Sequence, residues 1–367
     1  MNTPAPLKKI HSYFLEYFSR LCRYPFAKPK GGDIMITSRC NFHCRHCDIW
    51  REEDSRELDL DAWKSIIARL RRRVGPGYAI SVGGGEPLLR PDIFEILKML
   101  VQKNFKVSLV TNGYLIDREK AEKIVKLNIN EIRLSLYSYS PEIHNRLRGM
   151  ADAHEKVIGA AELLLAESRK QRMETRICAA MLINAETIGR EALRLIDWAN
   201  AKGIFTLVQA VDNNFKIHET SGGQTEAGLR PGGDSLWPKD KNQIKAFFDQ
   251  LLLKKRSGYK IINSVKTLEA FRVYFLNPRQ ALSFPCTVGY RSMNLNPQGQ
   301  IFFCFDTGNI ASSLSGRSPE VLWRSEELRQ KRALAAGCGK VCRIRCYYRD
   351  SLVDKIKKQS IFPGRLN

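Results

Sequence analysis

No uninterrupted apolar run in this sequence approaches the ~18 residues that a membrane-crossing helix needs. The opening stretch, MNTPAPLKKIHSYFLEYF, lacks the apolar centre and small-residue cleavage site of a secretory signal. Both absences point to the cytoplasm, a reducing compartment in which a disulfide framework is not expected. Acidic side chains are outnumbered: 38 Asp and Glu against 60 Lys and Arg leave a net charge of +22. Such a balance suits nucleic acid, anionic lipid headgroups or acidic peptides, and equally a plainly solvated surface. No recognisable RNA-binding motif accompanies the charge, so a nucleic-acid partner has no other support and ranks last. Low-complexity tracts are missing too, as are internal repeats beyond an alternation of strands and helices.

What is present is a core of ordinary size: 43% of the 367 residues are hydrophobic and 27% charged, enough for one large α/β domain and a smaller one. Residues 8–22 form a basic amphipathic helix, with Ile10, Tyr13, Phe14, Tyr17 and Leu21 at helical spacing among Lys8, Lys9, Arg20 and Arg23. It suits a membrane surface or a simple domain cap. Strands are then predicted over 33–37, 78–82, 106–111, 131–136, 175–183 and 205–210. Helices are predicted between them, over 58–73, 91–103, 118–127, 153–172 and 188–202. Six such repeats imply parallel strands with right-handed crossovers, in a barrel or a doubly wound sheet. In either, reactive groups sit on loops after strand C-termini. Cys40, Glu86, Asn112 and Ser138 all do, and are expected on one rim. The Gly- and Pro-rich stretch 212–240 reads as a linker or loop, and 241–284 as a helical connection.

Eight of the ten cysteines are grouped, which in an intracellular chain reads as metal ligation. Cys40, Cys44 and Cys47 lie within eight residues on a loop leaving a strand. Three thiolates can hold a [4Fe–4S] cluster and leave one iron open for a small molecule with an amino and a carboxylate group. Zinc, with His43 and His46 helping, is the alternative. Further on, Cys286 and Cys304 flank a hairpin predicted around Gly299, and Cys338, Cys342 and Cys346 follow a helix over 325–335.

The pattern Cys40-x₃-Cys44-x₂-Cys47 after the first strand, Gly84-Gly85-Glu86-Pro87 after the second and Thr111-Asn112-Gly113 after the third resembles the radical S-adenosylmethionine (SAM) superfamily. That resemblance implies a partial (β/α)6 barrel over residues 32–211, behind an N-terminal segment 1–31. It implies a [4Fe–4S] cluster on the three cysteines that passes an electron to S-adenosyl-L-methionine and yields a 5′-deoxyadenosyl radical, which takes hydrogen from a substrate. It assigns Gly84, Gly85 and Glu86 to the methionine amino group, Ser135 to a face toward the cofactor and Arg148 to the methionine carboxylate. Asn112 becomes a polar contact and Asn184 a partner of the ribose hydroxyls. Where Tyr137 stands the family often has an acid, and an aromatic residue is usual at His46. An electron donor such as flavodoxin or ferredoxin is also implied.

Gly299-x₄-Cys304 and the cysteines after it look like a SPASM/Twitch extension over 285–350, followed by a basic tail 351–367. A full SPASM domain needs at least seven cysteines. Five imply one auxiliary [4Fe–4S] cluster among Cys286, Cys304, Cys338, Cys342 and Cys346. Enzymes of this kind modify peptides and proteins, which is the first expectation here, or small molecules. A lipid or other membrane-associated substrate is the second. The competing class is a zinc-stapled module that binds nucleic acid through its basic face.

Overall fold

A computed structural model describes residues 14–52, 56–211, 236–278, 280, 286–304, 314 and 318–337. Cys338, Cys342, Cys346, the tail, Ile10 and Tyr13 lie outside them, as does most of the 212–240 stretch.

After a helix over residues 14–21 (α1), strand and helix alternate through β1 (Gly31–Thr37), α2 (Leu60–Val74), β2 (Ala79–Gly84), α3 (Ile93–Gln102), β3 (Lys106–Thr111) and α4 (Arg118–Lys126). They continue through β4 (Glu131–Ser135), α5 (Pro141–Arg148), α6 (Ala153–Gln171), β5 (Arg176–Ile183), α7 (Arg190–Lys202) and β6 (Phe205–Ala210). Helix starts follow capping chemistry: the side chains of Asp59, Asp117, Ser140, Asp240 and Ser264 each accept a backbone N–H of the first turn.

All six strands are parallel and their order never reverses, running β6-β5-β4-β3-β2-β1. A doubly wound sheet needs a reversal; without one, right-handed crossovers put every helix on the same face. Alternation then separates two environments. Ile34 and Ile36 of β1 join Trp63, Ile66 and Leu70 of α2 in the main core, whereas Asp33 and Met35 face the other way. Asp33 is within electrostatic reach of Arg133, three strands away on β4, as a curled sheet requires. The sheet does not close into a full barrel, since β6 and β1 do not pair.

Both flanks of the six strands are covered, which protects edges that would otherwise template aggregation. Beyond β6 lie α8 (Lys241–Arg256) and α9 (Val265–Leu276), tied on by Asn263, whose side chain both donates to and accepts from the backbone of Val208 at 2.8–2.9 Å. The end of the predicted linker is built into this layer: Leu236 is buried, and Trp237 packs on Tyr274 and Phe275. Beyond β1 comes the hairpin that the sequence predicts around Gly299, formed by β7 (Asn294–Leu295) and β8 (Ile301–Phe302). β7 follows the short helix α10 (Val288–Arg291) and pairs parallel to β1. Helices α11 (Pro319–Trp323) and α12 (Glu326–Gly337) complete the described chain. Among the described residues no helix is long and apolar enough to cross a membrane.

Candidate active site

The loop leaving β1 carries all three cysteines of the first group. Cys40, Cys44 and Cys47 share one small cluster with Phe42, Tyr114, Met150 and Ala153. Two seams hold this loop. Along the first, Gly85 N–H donates to Thr37 O and Glu86 N–H to Arg39 O, each at 2.8 Å. The glycines make that approach feasible: a Cβ on Gly85 would stand 2.0 Å from the Arg39 carbonyl oxygen. What this glycine run admits is therefore the backbone of the cysteine loop itself. Along the second seam, Arg45 N–H donates to Leu147 O at 3.1 Å, and a Cβ on Gly149 would meet the His43 carbonyl oxygen at 2.4 Å.

Gly149 also ends α5 in the left-handed conformation, with φ 64°. The helix starts at Ser140 and Pro141, a cap and a first-turn proline, and so delivers its last residue, Arg148, to the thiols. The Arg148 guanidinium lies over the Phe42 and Tyr137 rings, 5.0 and 4.8 Å from their centres, and donates to Tyr137 Oη at 2.8 Å. Its Nε is buried with no hydrogen-bond partner. Burial opposes its charge, but Tyr137, Cys44, Cys40 and Cys47 outweigh that and raise its pKa. Burial likewise pushes the Cys40 and Cys47 thiols up to about 11, and the neighbouring cysteines add to the shift. Among the described residues no three or more His, Cys, Asp or Glu side chains, these thiols included, are arranged closely enough to hold a metal ion. The Cys40 and Cys47 thiols resist ionising unless cationic charge joins them, and an orphaned guanidinium nitrogen beside them awaits an acceptor. The donor set fits an iron–sulfur cluster with an anionic ligand alongside.

Glu86 is buried and raised in pKa by that burial, in spite of accepting from Leu88 N–H, Thr111 Oγ1 and Asn112 N–H at 2.7–3.1 Å. Asn112 reaches the rim as expected, but both ends of its amide are engaged: Nδ2 donates to Asn41 and Oδ1 accepts from Tyr114 N–H. Its place is that of a tie between β3 and the cysteine loop. Ser138 is turned to Glu191, at 3.1 Å. Ser135 closes β4, partly exposed. Asn184 follows β5 with its carbonyl taken by Glu186 and Thr187 N–H, while its Nδ2 is buried and unpartnered. His43 packs on Trp50, and His46 meets Tyr137 Oη at 3.1 Å.

Tyr137, Phe42 and His144 are site residues the sequence reading did not assign. Tyr137 joins His46 to Arg148, and its backbone N–H donates to Nδ1 of His144 at 3.2 Å. His144 must therefore be neutral at Nδ1, and burial first, then Arg148 and His154, hold its pKa well below the ordinary value. A depressed folded-state pKa contributes stability that is complete above the unfolded value, about 6.5, and is lost as pH falls, by up to about 1.4 kcal/mol per unit. In His144→Asn the amide oxygen still accepts from Tyr137, but nothing titrates. We expect the wild-type urea midpoint to drop more than the variant's between about pH 7.5 and pH 5.5. Equal drops would place the acid sensitivity elsewhere.

With this geometry in view, residues 34–178 match the family model described as the Radical SAM superfamily. This part of the chain is a radical SAM domain, and members of that superfamily are enzymes, which implies a [4Fe–4S] cluster and S-adenosylmethionine. Among curated proteins, the AdoMet-dependent heme synthase of Methanosarcina barkeri is 33% identical over 131 residues, 35% of this chain and 37% of that protein. The PqqA peptide cyclase of Gluconobacter oxydans is 28% identical over 133 residues, 36% of this chain and 37% of its own. The match thus spans well under two thirds of either relative. Among solved structures, Streptococcus suis SuiB bound to S-adenosylmethionine superposes with a TM-score of 0.66 at 15% identity, over 96% of this chain and 83% of that one. That likeness is one of fold.

Proposed function

We propose that this chain is a radical SAM enzyme that modifies a peptide or protein. The observation that carries the chemistry is the gathering of Cys40, Cys44 and Cys47 beside a buried Arg148 whose Nε lacks an acceptor. On this reading the three thiolates would hold a [4Fe–4S] cluster, which with bound S-adenosylmethionine would supply radical chemistry for hydrogen abstraction. The chain's own residues bind and orient. Arg148, pinned between two rings, offers Nε to the methionine carboxylate. The loop of Gly84, Gly85 and Glu86 serves the amino end, Ser135 faces the cofactor, and Asn184 Nδ2 donates to a ribose hydroxyl. Asn112 acts through the loop it ties. A flavodoxin- or ferredoxin-type donor supplies the electron.

The peptide substrate rests on relatives: one matched protein is a PqqA peptide cyclase, and SuiB has also been solved bound to its precursor peptide SuiA. An auxiliary [4Fe–4S] cluster is proposed on four of Cys286, Cys304, Cys338, Cys342 and Cys346. The first two are half-buried against the main core, on either side of the hairpin that extends β1. The test is Cys304→Ala in anaerobically prepared protein. We expect iron to fall from about eight to about four per chain, product to disappear and uncoupled release of 5′-deoxyadenosine to persist. Iron content and product yield equal to wild type would remove the auxiliary cluster from the proposal, and zinc in place of iron would remove the whole of it.

A further inference from the structure

Helix α1 is packed inside out. Its polar side faces the protein: Glu16 and Ser19 are buried, at 8% and 0% exposure. Ser19 Oγ accepts the N–H groups of Phe26 and Ala27 at 3.0 and 3.3 Å, and Glu16 pairs with Lys30 and Arg291. Its apolar side faces outward, with Phe14, Tyr17, Phe18 and Leu21 exposed, and the extended run behind it adds Tyr24 and Phe26. Among the described residues nine large hydrophobic side chains are exposed, and six of them fall in this stretch of 13 residues. Scattered apolar residues on a surface need no explanation, but a concentration of this kind marks an interaction site.

The charge of the segment selects the partner. Residues 14–30 contain Arg20, Arg23, Lys28 and Lys30 but a single acid, Glu16, which is turned inward and ion-paired. Lys30 is held by that pair, so the outward face carries the aromatic rings with Arg23 and Lys28 exposed beside them and no acidic side chain. An aromatic-rich apolar face rimmed by Lys and Arg is what seats a helix in the headgroup layer, where Tyr rings bury their apolar body and keep their hydroxyl wet. We infer that residues 14–28 form a peripheral docking surface for an anionic phospholipid bilayer. The helix lies along the membrane plane, its buried serine and glutamate anchoring the protein body behind it.

The test uses the full-length, cluster-loaded protein and two sets of vesicles, phosphatidylcholine alone and phosphatidylcholine with phosphatidylglycerol. We expect co-sedimentation with the anionic vesicles only, weakening as salt shortens the screening length. The triple variant Tyr17→Ser, Phe18→Ser, Leu21→Ser should lose about tenfold or more in binding, with iron content and cleavage of S-adenosylmethionine unchanged. The double variant Arg23→Glu, Lys28→Glu keeps the apolar face and should also release the anionic vesicles. Three results would overturn the inference: the same sedimentation with and without vesicles, equal binding to neutral and anionic vesicles, or a dimer that the triple variant converts to monomer. The last would mean that a second copy occupies this face.

Discussion

Alanine at Cys40, Cys44 and Cys47 together is expected to abolish reductive cleavage of S-adenosylmethionine and to leave the fold intact. The fold should survive because the three thiols are the polar minority of a cluster whose bulk is Phe42, Tyr114, Met150 and Ala153. Removing them also removes two thiols, those of Cys40 and Cys47, that burial keeps from ionising easily. The iron proposed for this loop should be lost, because no other described cysteine sits in the cluster. Iron should fall to about four per chain if a second cluster is present. Release of 5′-deoxyadenosine under dithionite, measured by chromatography, decides the matter. Any release that matches the wild type would sink the assignment of this loop.

The second large effect comes from one methyl group. In Gly85→Ala the new Cβ would stand 2.0 Å from the Arg39 carbonyl oxygen, 2.6 Å from its carbon and 2.9 Å from the Ser38 oxygen. All three are backbone atoms, so no rotamer change can relieve the contact. The cysteine loop would have to lift away, breaking the 2.8 Å bond from Glu86 N–H to Arg39 O, one residue before Cys40. We expect a loss of about 3 kcal/mol in stability and little bound iron. Gly83→Ala is the matched control: its Cβ meets nothing nearer than Val110 Cβ at 3.6 Å, an ordinary contact. Thermal melting of both variants tests the pair, and equal behaviour would contradict the seam described for this loop.

The contrast between these glycines shows where sequence reading stops. Strands 106–111 and 205–210 are predicted with the bounds they have, because alternation between turn residues is local information. The hairpin around Gly299 is legible for the same reason. The three thiols were legible because they are adjacent in sequence. Arg148 lies about a hundred residues further on, and its neighbours could be proposed only by likeness. Helix α5, which carries it there, is not among the helices predicted from the sequence, although Ser140, Pro141 and Glu142 are a start signal. The motif likeness separates Gly85 from Gly83, but nothing in the sequence shows that Gly85 admits another loop's carbonyl. The same holds for α1: periodicity reveals an apolar face but not the direction in which it points.

The pairing of β1 with β7 sets a timetable for biosynthesis. Asp33 N–H donates to the side chain of Asn294, 261 residues later, and Ile34 pairs with Leu295. Until that hairpin arrives, the strand that leads into the cysteine loop has an open edge, and contacts of such long range are slow to form. At about 5–20 residues per second, the ribosome needs roughly 13 to 50 s to make the intervening chain. The thiols emerge long before the strand that becomes the outer neighbour of β1 has been synthesised. Delivery of iron to a nascent chain would therefore meet an unsupported loop, and cluster loading is expected to follow translation.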